Sequence, residues 1–165
     1  AATTLGVSQQ TIASSLMEYA PAAGRMEKFI YKGRPCTLNL IKNPTGLNEV
    51  LKTLLRGKGE KALVIAINDL AGDGRDVSWL WDAGFEMLDN PSIKMIVCSG
   101  RRAGDVGVRL KYAGVPPNKI IIEPECKPSI EGLGEQDAGE YHILASYTSV
   151  FNYSKLLRKM GKAVE

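Results

Sequence analysis

Histidine occurs once, at position 142, and cysteine three times, at 36, 98 and 126, in a chain of 165 residues. The cysteines are odd in number and far apart, with no CxxC spacing and no histidine nearby. That excludes a disulfide framework and a zinc site and points to a reducing cytoplasm. No apolar stretch is long enough to cross a bilayer as a helix, and no cationic segment with an apolar core reads as a signal peptide. Charge of one sign is lacking too. The formal net charge is only +3 and the basic residues are scattered, so nothing resembles the footprint of a nucleic-acid binder. What is present, 44% hydrophobic and 24% charged residues, is the make-up of a globular protein with one main core.

Phosphate and nucleophile motifs are also missing. Gly72-x-Gly74 begins like a dinucleotide fingerprint, but Val77 stands where the third glycine would let a helix pack closely. Gly57-Lys58-Gly59-Glu60-Lys61 lacks the spacing and the hydroxyl of a P-loop, so ATP hydrolysis is not expected of this chain alone. Ser78, Ser99 and Ser146 have no base nearby in sequence, and no cysteine lies in a nucleophile motif. His142 sits in the apolar run Tyr-His-Ile-Leu-Ala, where a hydrogen-bonded structural role is the expectation.

Hydrophobic period sets the layout. Ser8 caps a helix carrying Ile12, Leu16 and Tyr19, which Pro21 and Gly24 break. This isolated helix and its Pro/Ala/Gly linker read as the tail of an earlier domain. Lys28–Tyr31 and Cys36–Ile41 flank a turn-like Lys-Gly-Arg-Pro and form a hairpin or two short strands. Pro44 opens a helix with Leu47, Val50, Leu51, Leu54 and Leu55 on one face, ending near Gly57. Strands are expected at Ala62–Ile67, Lys94–Cys98, Lys119–Ile122 and Tyr141–Ala145. Helices are expected at Arg102–Ala113, near Ile130 and at 148–160, the first with Val106, Val108, Leu110 and Tyr112 partly inward. Strands alternating with helices predict an α/β fold with a mostly parallel sheet flanked by helices, and ligands gathering beyond the strand C-termini.

Two loops leave strands at that end. Residues 68–82 hold Asp69, Asp73, Arg75, Asp76 and Asp82, with Trp79 and Trp81, the only tryptophans. Any one of these aspartates can simply cap a turn, but four in one glycine-bearing loop point to at least one functional carboxylate. Ser99–Asp105 follows a strand and opens a helix, so its amides, Arg101 and Arg102 can receive an anion. A capped helix with two solvated arginines is the plain alternative.

Ala23-Gly24-Arg25-Met26-Glu27, ahead of Asn39-Leu40-Ile41-Lys42-Asn43-Pro44, is similar to the junction between the central and C-terminal domains of Mur ligases. Asn39 and Lys42 replace that family's usual acid and histidine, while Asn43-Pro44 remain. Lys42–Leu51, Ile67–Glu86, Ser99-Gly100-x-Arg102-Ala103-x-Asp105, Arg109–Gly114 and Ile143-Leu144-Ala145-x-Tyr147-Thr148 together resemble the MurT branch, the ligase-like subunits of lipid II isoglutaminyl synthase. The resemblance implies a Rossmann-like Mur ligase C-terminal domain over residues 23–165, preceded over 1–22 by the tail of a central domain. It implies ATP-dependent amidation of the D-glutamate α-carboxyl of lipid II at the cytoplasmic face of the membrane. Ammonia would come from a GatD-type class I glutaminase, whose Cys–His pair a MurT aspartate completes. Asp82 and Asp76 lead as that aspartate; Arg25 and Asn43 are expected to contact ATP. Asp69, Asp73, Arg75, Trp79, Trp81, Arg101 and Arg102 are expected to face partner or substrate. ATP and Mg2+ would belong to the full-length protein and zinc only to its central domain, with no metal held here. The alternatives are the end domain of a conventional amino-acid-adding Mur ligase and a non-catalytic ligand-binding α/β module that uses the 99–105 anion site.

Overall fold

The computed structural model describes residues 2–18 and 26–164. Tyr19 of the expected first helix, the expected break at Pro21 and Gly24, and Arg25 lie outside the described residues. Helix α1 (Gln9–Met17) is capped by Ser8, whose Oγ accepts from the Thr11 amide at 3.1 Å, and it buries none of its residues.

The rest is a seven-stranded sheet of β1 (Glu27–Tyr31), β2 (Arg34–Leu40), β3 (Lys61–Ala66), β4 (Ile93–Ser99), β5 (Ile120–Ile122), β6 (Glu140–Ala145) and β7 (Lys162–Val164). Their spatial order is β5-β4-β3-β6-β2-β1-β7. The pairs from β5 through β2 are parallel, while β1 runs antiparallel to both β2 and β7. The sequence reading missed β7, a short exposed run. Lys32 and Gly33 alone turn the hairpin, both at positive φ (46° and 77°), so Arg34 and Pro35 belong to β2 and not to the turn. Pro35 is tolerated because pairing of β2 with β6 begins one residue later, at Cys36.

Helices α2 (Pro44–Arg56) and α3 (Ala103–Tyr112) cover one face of the sheet, and α4 (Cys126–Leu133) and α5 (Tyr147–Met160) the other. Leu47, Leu51 and Leu54 of α2 are buried with Val50 and Leu55 packed beside them, as the helical spacing predicts. Each such leucine contributes about 1.5–3 kcal/mol of transfer free energy. Gly57 ends α2 at φ −64°, so it serves without the left-handed backbone common at that position. The inward face of α3 departs from expectation: Val106 and Leu110 are buried with Ala103, Gly107 and Arg109, whereas Val108 and Tyr112 face solvent. Reading every second residue as inward imposes a strand period on a helix, where residues 106 and 108 point to opposite sides.

Candidate functional site

Strand β3 lies between β4 and β6: the chain leaves it for β4 on one side and later comes back as β6 on the other. The crevice beyond these three C-termini is therefore the switch point of the sheet. Asn68, the second residue after β3, ties it together. Its amide donates to Ser146 Oγ (3.0 Å), its Nδ2 to Thr148 Oγ1 (2.9 Å), and its Oδ1 accepts from the Arg101 amide (3.0 Å). Gly100 makes this closeness possible: at φ +79°, a Cβ there would lie 2.6 Å from the Ile67 carbonyl oxygen. Sequence reasoning singled out neither role, because the bonds join residues 33 and 80 positions apart.

The four loop aspartates separate into different roles. Asp69 sits 2.8 Å from Arg101 Nε and 3.1 Å from Arg102 Nε, and the Arg101 hydrogen bond, then the Arg102 charge, hold its carboxyl below the usual range. The Arg102 contact is one of charge only, since that Nε–H makes no hydrogen bond. Asp73 reaches across to α5. Its Oδ1 accepts from the Thr148 amide (2.8 Å), and its Oδ2 from Thr148 Oγ1 (2.5 Å) and the Leu70 amide (3.2 Å). It thus caps the first turn of a 14-residue helix. Asp76 Oδ1 accepts from the Ser78 amide at 2.8 Å, which lowers its pKa. Asp82 is exposed, and its carboxylate makes no hydrogen bond or ion pair with any described residue. Arg75 is likewise exposed and unpaired among the described residues.

Asp82 belongs to a segment of two 3-10 turns, Ser78–Trp81 and Phe85–Leu88. Leu80, Ala83, Phe85 and Leu88 point into the core, and Trp79 packs half-buried beside them. Trp81 is 56% exposed and tilts against Tyr112, itself 73% exposed, with ring centroids 5.8 Å apart. Beneath lies Arg109, only 4% exposed, donating from Nε to Leu80 O (3.0 Å) and from Nη2 to Ala83 O (2.8 Å) and Glu86 Oε1 (2.7 Å). From the far side the Gly84 amide donates to Asn48 Oδ1 of α2 at 2.8 Å. In the sequence Arg109 only opens the Arg109–Gly114 motif, and its place between the apolar positions Val108 and Leu110 is the one local signal of its burial.

The 99–105 loop is closed on itself. The amides of Arg101, Arg102 and Ala103 donate to Asn68 Oδ1, Ile67 O and Gly100 O, and both arginines lean on Asp69, so an incoming anion would have to displace internal partners. Beside it a cleft of about 240 Å³ opens between β4, α4 and α5, lined by Arg101, Glu125, Ser149 and Asn152. Asn43, expected at a nucleotide, caps α2 with Oδ1 accepting from the Gly46 amide (2.8 Å), which leaves its Nδ2 as a donor.

At the opposite end of the sheet, Lys61 is fully buried. It donates to Gly57 O (2.9 Å) and Gly59 O (2.8 Å) and lies 3.3 Å from Glu140. His142 is 7% exposed, which matches the structural role expected of it, but its Nε2 makes no hydrogen bond although Glu140 Oε2 is 3.2 Å away. Burial lowers its pKa, against the opposing charge of Glu140. His142 also lines a groove of about 390 Å³ with Thr37, Asn39, Val50 and Leu54. Burial pushes the thiols of Cys36 and Cys98 up to about 12, so neither is a nucleophile. Among the described residues no group of three or more His, Cys, Asp or Glu could hold a metal ion, and no helix is long and apolar enough to cross a membrane.

Comparison with known proteins follows the same outline. Residues 40–150 match the family model described as MurT ligase C-terminal. The chain is 42% identical over 161 residues to the MurT subunit of lipid II isoglutaminyl synthase (glutamine-hydrolyzing) from Staphylococcus aureus, covering 98% of this chain and 36% of that protein. It is 31% identical over 153 residues to the subunit of the same name from Streptococcus pneumoniae, covering 93% and 34%. The chain thus spans about a third of the length of these relatives. Among solved structures, MurF from Acinetobacter baumannii superposes with a TM-score of 0.66 at 23% identity, over 96% of this chain and 34% of that one. Folylpolyglutamate synthase from Thermotoga maritima does so with a TM-score of 0.59 at 17% identity, over 95% and 35%. These two establish the fold alone.

Proposed function

Because the chain belongs to the MurT ligase C-terminal family, we propose that it is the C-terminal domain of the ligase-type subunit of a glutamine-dependent amidotransferase. The full-length protein amidates the α-carboxyl of D-glutamate in lipid II to D-isoglutamine, at the expense of ATP with Mg2+, on the cytoplasmic side of the membrane. A GatD-type class I glutaminase docks on this domain and supplies the ammonia. Asp82 offers its carboxylate to the glutaminase Cys–His pair, with Asp76 as the second candidate. A carboxylate that fixes the tautomer of a histidine and stabilises the imidazolium need not belong to the same chain.

One observation carries the choice of Asp82: of the four loop aspartates it alone is exposed with a carboxylate free of partners among the described residues. It also adjoins Trp81, the kind of exposed aromatic that anchors protein interfaces. Asp69 and Asp73 are committed to Arg101 and to Thr148 and serve the loop itself. Arg25 and the free Nδ2 of Asn43 contact ATP at the junction with the preceding domain.

Co-purification of the full-length protein with its glutaminase tests this reading. Glutamine-dependent amidation of lipid II is expected only from the pair, and the chain alone is expected to be inert. Full glutaminase activity in both Asp82→Asn and Asp76→Asn would overturn the shared triad. ATP-dependent ligation of a free amino acid without any glutaminase would favour a conventional Mur ligase instead.

A further inference from the structure

A buried arginine is a costly group, and Arg109 has more connections than packing of α3 requires. Its guanidinium is taken out of water and all of its short contacts go to one segment of eleven residues: two backbone carbonyls, one carboxylate and two aromatic faces. The two carbonyls, of Leu80 and Ala83, flank the pair Trp81–Asp82. The Arg109 Cζ lies 5.5 Å from the Trp81 ring centroid and 5.3 Å from that of Phe85, so the charge also holds Trp81 against its underside. Hydrophobic anchoring at Leu80, Ala83, Phe85 and Leu88 fixes where the segment sits. The fork of Arg109 fixes how the peptide between Leu80 and Ala83 is turned, and with it the direction of the Asp82 side chain.

We infer that Arg109 is a positioning residue, which pre-organises the Trp81–Asp82 surface for the glutaminase through its bonds to Leu80 O and Ala83 O. The inference rests on the reading of Asp82 given above and adds the group that makes this carboxylate a fixed one. Lysine cannot replace it. An ammonium on a flexible stem has donors enough for two carbonyls, but it does not hold them in a fixed planar fork and cannot stack on two rings as a guanidinium does. Catalysis by a carboxylate that wanders by about 1 Å falls by up to about 10²-fold. Arg109→Lys is therefore expected to lower kcat of the partner glutaminase about 10- to 100-fold with little change in KM for glutamine.

Two measurements on the full-length protein test it. The first is amide hydrogen exchange of Arg109→Lys without any partner. Exchange over residues 78–88 should rise at least about tenfold, while β3 and β4 stay as protected as in the wild type. The second is glutamine hydrolysis by the complex, with Ile130→Ala on the opposite face of the sheet as a control. That substitution lowers thermal stability without touching the segment, and its complex should hydrolyse glutamine at the wild-type rate. Unchanged exchange over 78–88 overturns the inference whatever the hydrolysis rate. Loosened exchange with full hydrolysis, or a loss shared equally by Ile130→Ala, overturns it as well and leaves the wild-type reading intact. A wild-type protein that fails to stimulate the glutaminase overturns the proposed function, and the catalytic half of this inference with it.

Discussion

Removing the Asp73 carboxylate tests whether the acidic loop is built as the structure implies. Asp73→Ala deletes three accepted hydrogen bonds: from the Thr148 amide at 2.8 Å, from Thr148 Oγ1 at 2.5 Å and from the Leu70 amide at 3.2 Å. Loss of a helix N-terminal cap costs about 1 kcal/mol, and removing the negative charge from the positive end of the helix adds about 0.5 kcal/mol. Leaving the Thr148 hydroxyl short of an acceptor adds about 1 kcal/mol, although Asn68 Nδ2 still donates to it. The total is about 2–3 kcal/mol, which for a chain of this size lowers Tm by roughly 4–12 °C. Asp73→Asn keeps an acceptor for the Thr148 amide but loses the charge and sets its NH2 where Oδ2 accepted from the Leu70 amide and Thr148 Oγ1, so its cost is about 1–2 kcal/mol, below that of Asp73→Ala. Calorimetry of the two variants reads both values. A fall in Tm below roughly 2 °C for Asp73→Ala would show that Asp73 does not fasten the loop to α5, and the division of the aspartates into committed and free would lose its basis.

Two further outcomes follow from the same geometry. Gly100→Ala would place a Cβ 2.6 Å from the Ile67 carbonyl oxygen at a positive φ, so it should cost about 2–4 kcal/mol, read as a lower urea midpoint with an unchanged slope. His142 has its pKa lowered by burial, so the unfolded chain binds its proton more readily than the folded one. Stability from this residue is complete above the ordinary histidine value of about 6.5 and is lost as pH falls from there toward the lowered folded value. His142→Gln should flatten that part of the pH–stability profile, and an unchanged slope below about pH 6.5 would count against a neutral buried imidazole.

How much of this was legible in the sequence depended on the range of the interactions involved. The alternation of apolar runs with amphipathic stretches announced the parallel sheet, and Ser8, Asn43 and Pro44 mark helix starts through bonds that reach only three residues. The inward face of α3 differs from the expectation because Val106, Val108, Leu110 and Tyr112 alternate, a pattern a helix cannot bury on one side. The 67–82 loop stood out by its charge, but its inner division did not. Asp73 finds its partner 75 residues away, Asp69 finds Arg101 across a sheet connection, and Arg109 finds its carbonyls 26 and 29 residues back. None of these bonds leaves a local pattern, so four aspartates of similar appearance resolve only once β3, β4 and β6 are aligned.

The most direct test of the account is steady-state glutamine hydrolysis by the full-length complex carrying Asp82→Asn. The substitution keeps size and exposure and removes only the charge that would orient a partner histidine. The expected result is a fall in kcat of about 10²-fold or more with complex formation intact and Tm unchanged, since the Asp82 carboxylate holds no partner among the described residues. Hydrolysis at the wild-type rate by an intact complex would contradict the assignment of Asp82 and turn attention to Asp76.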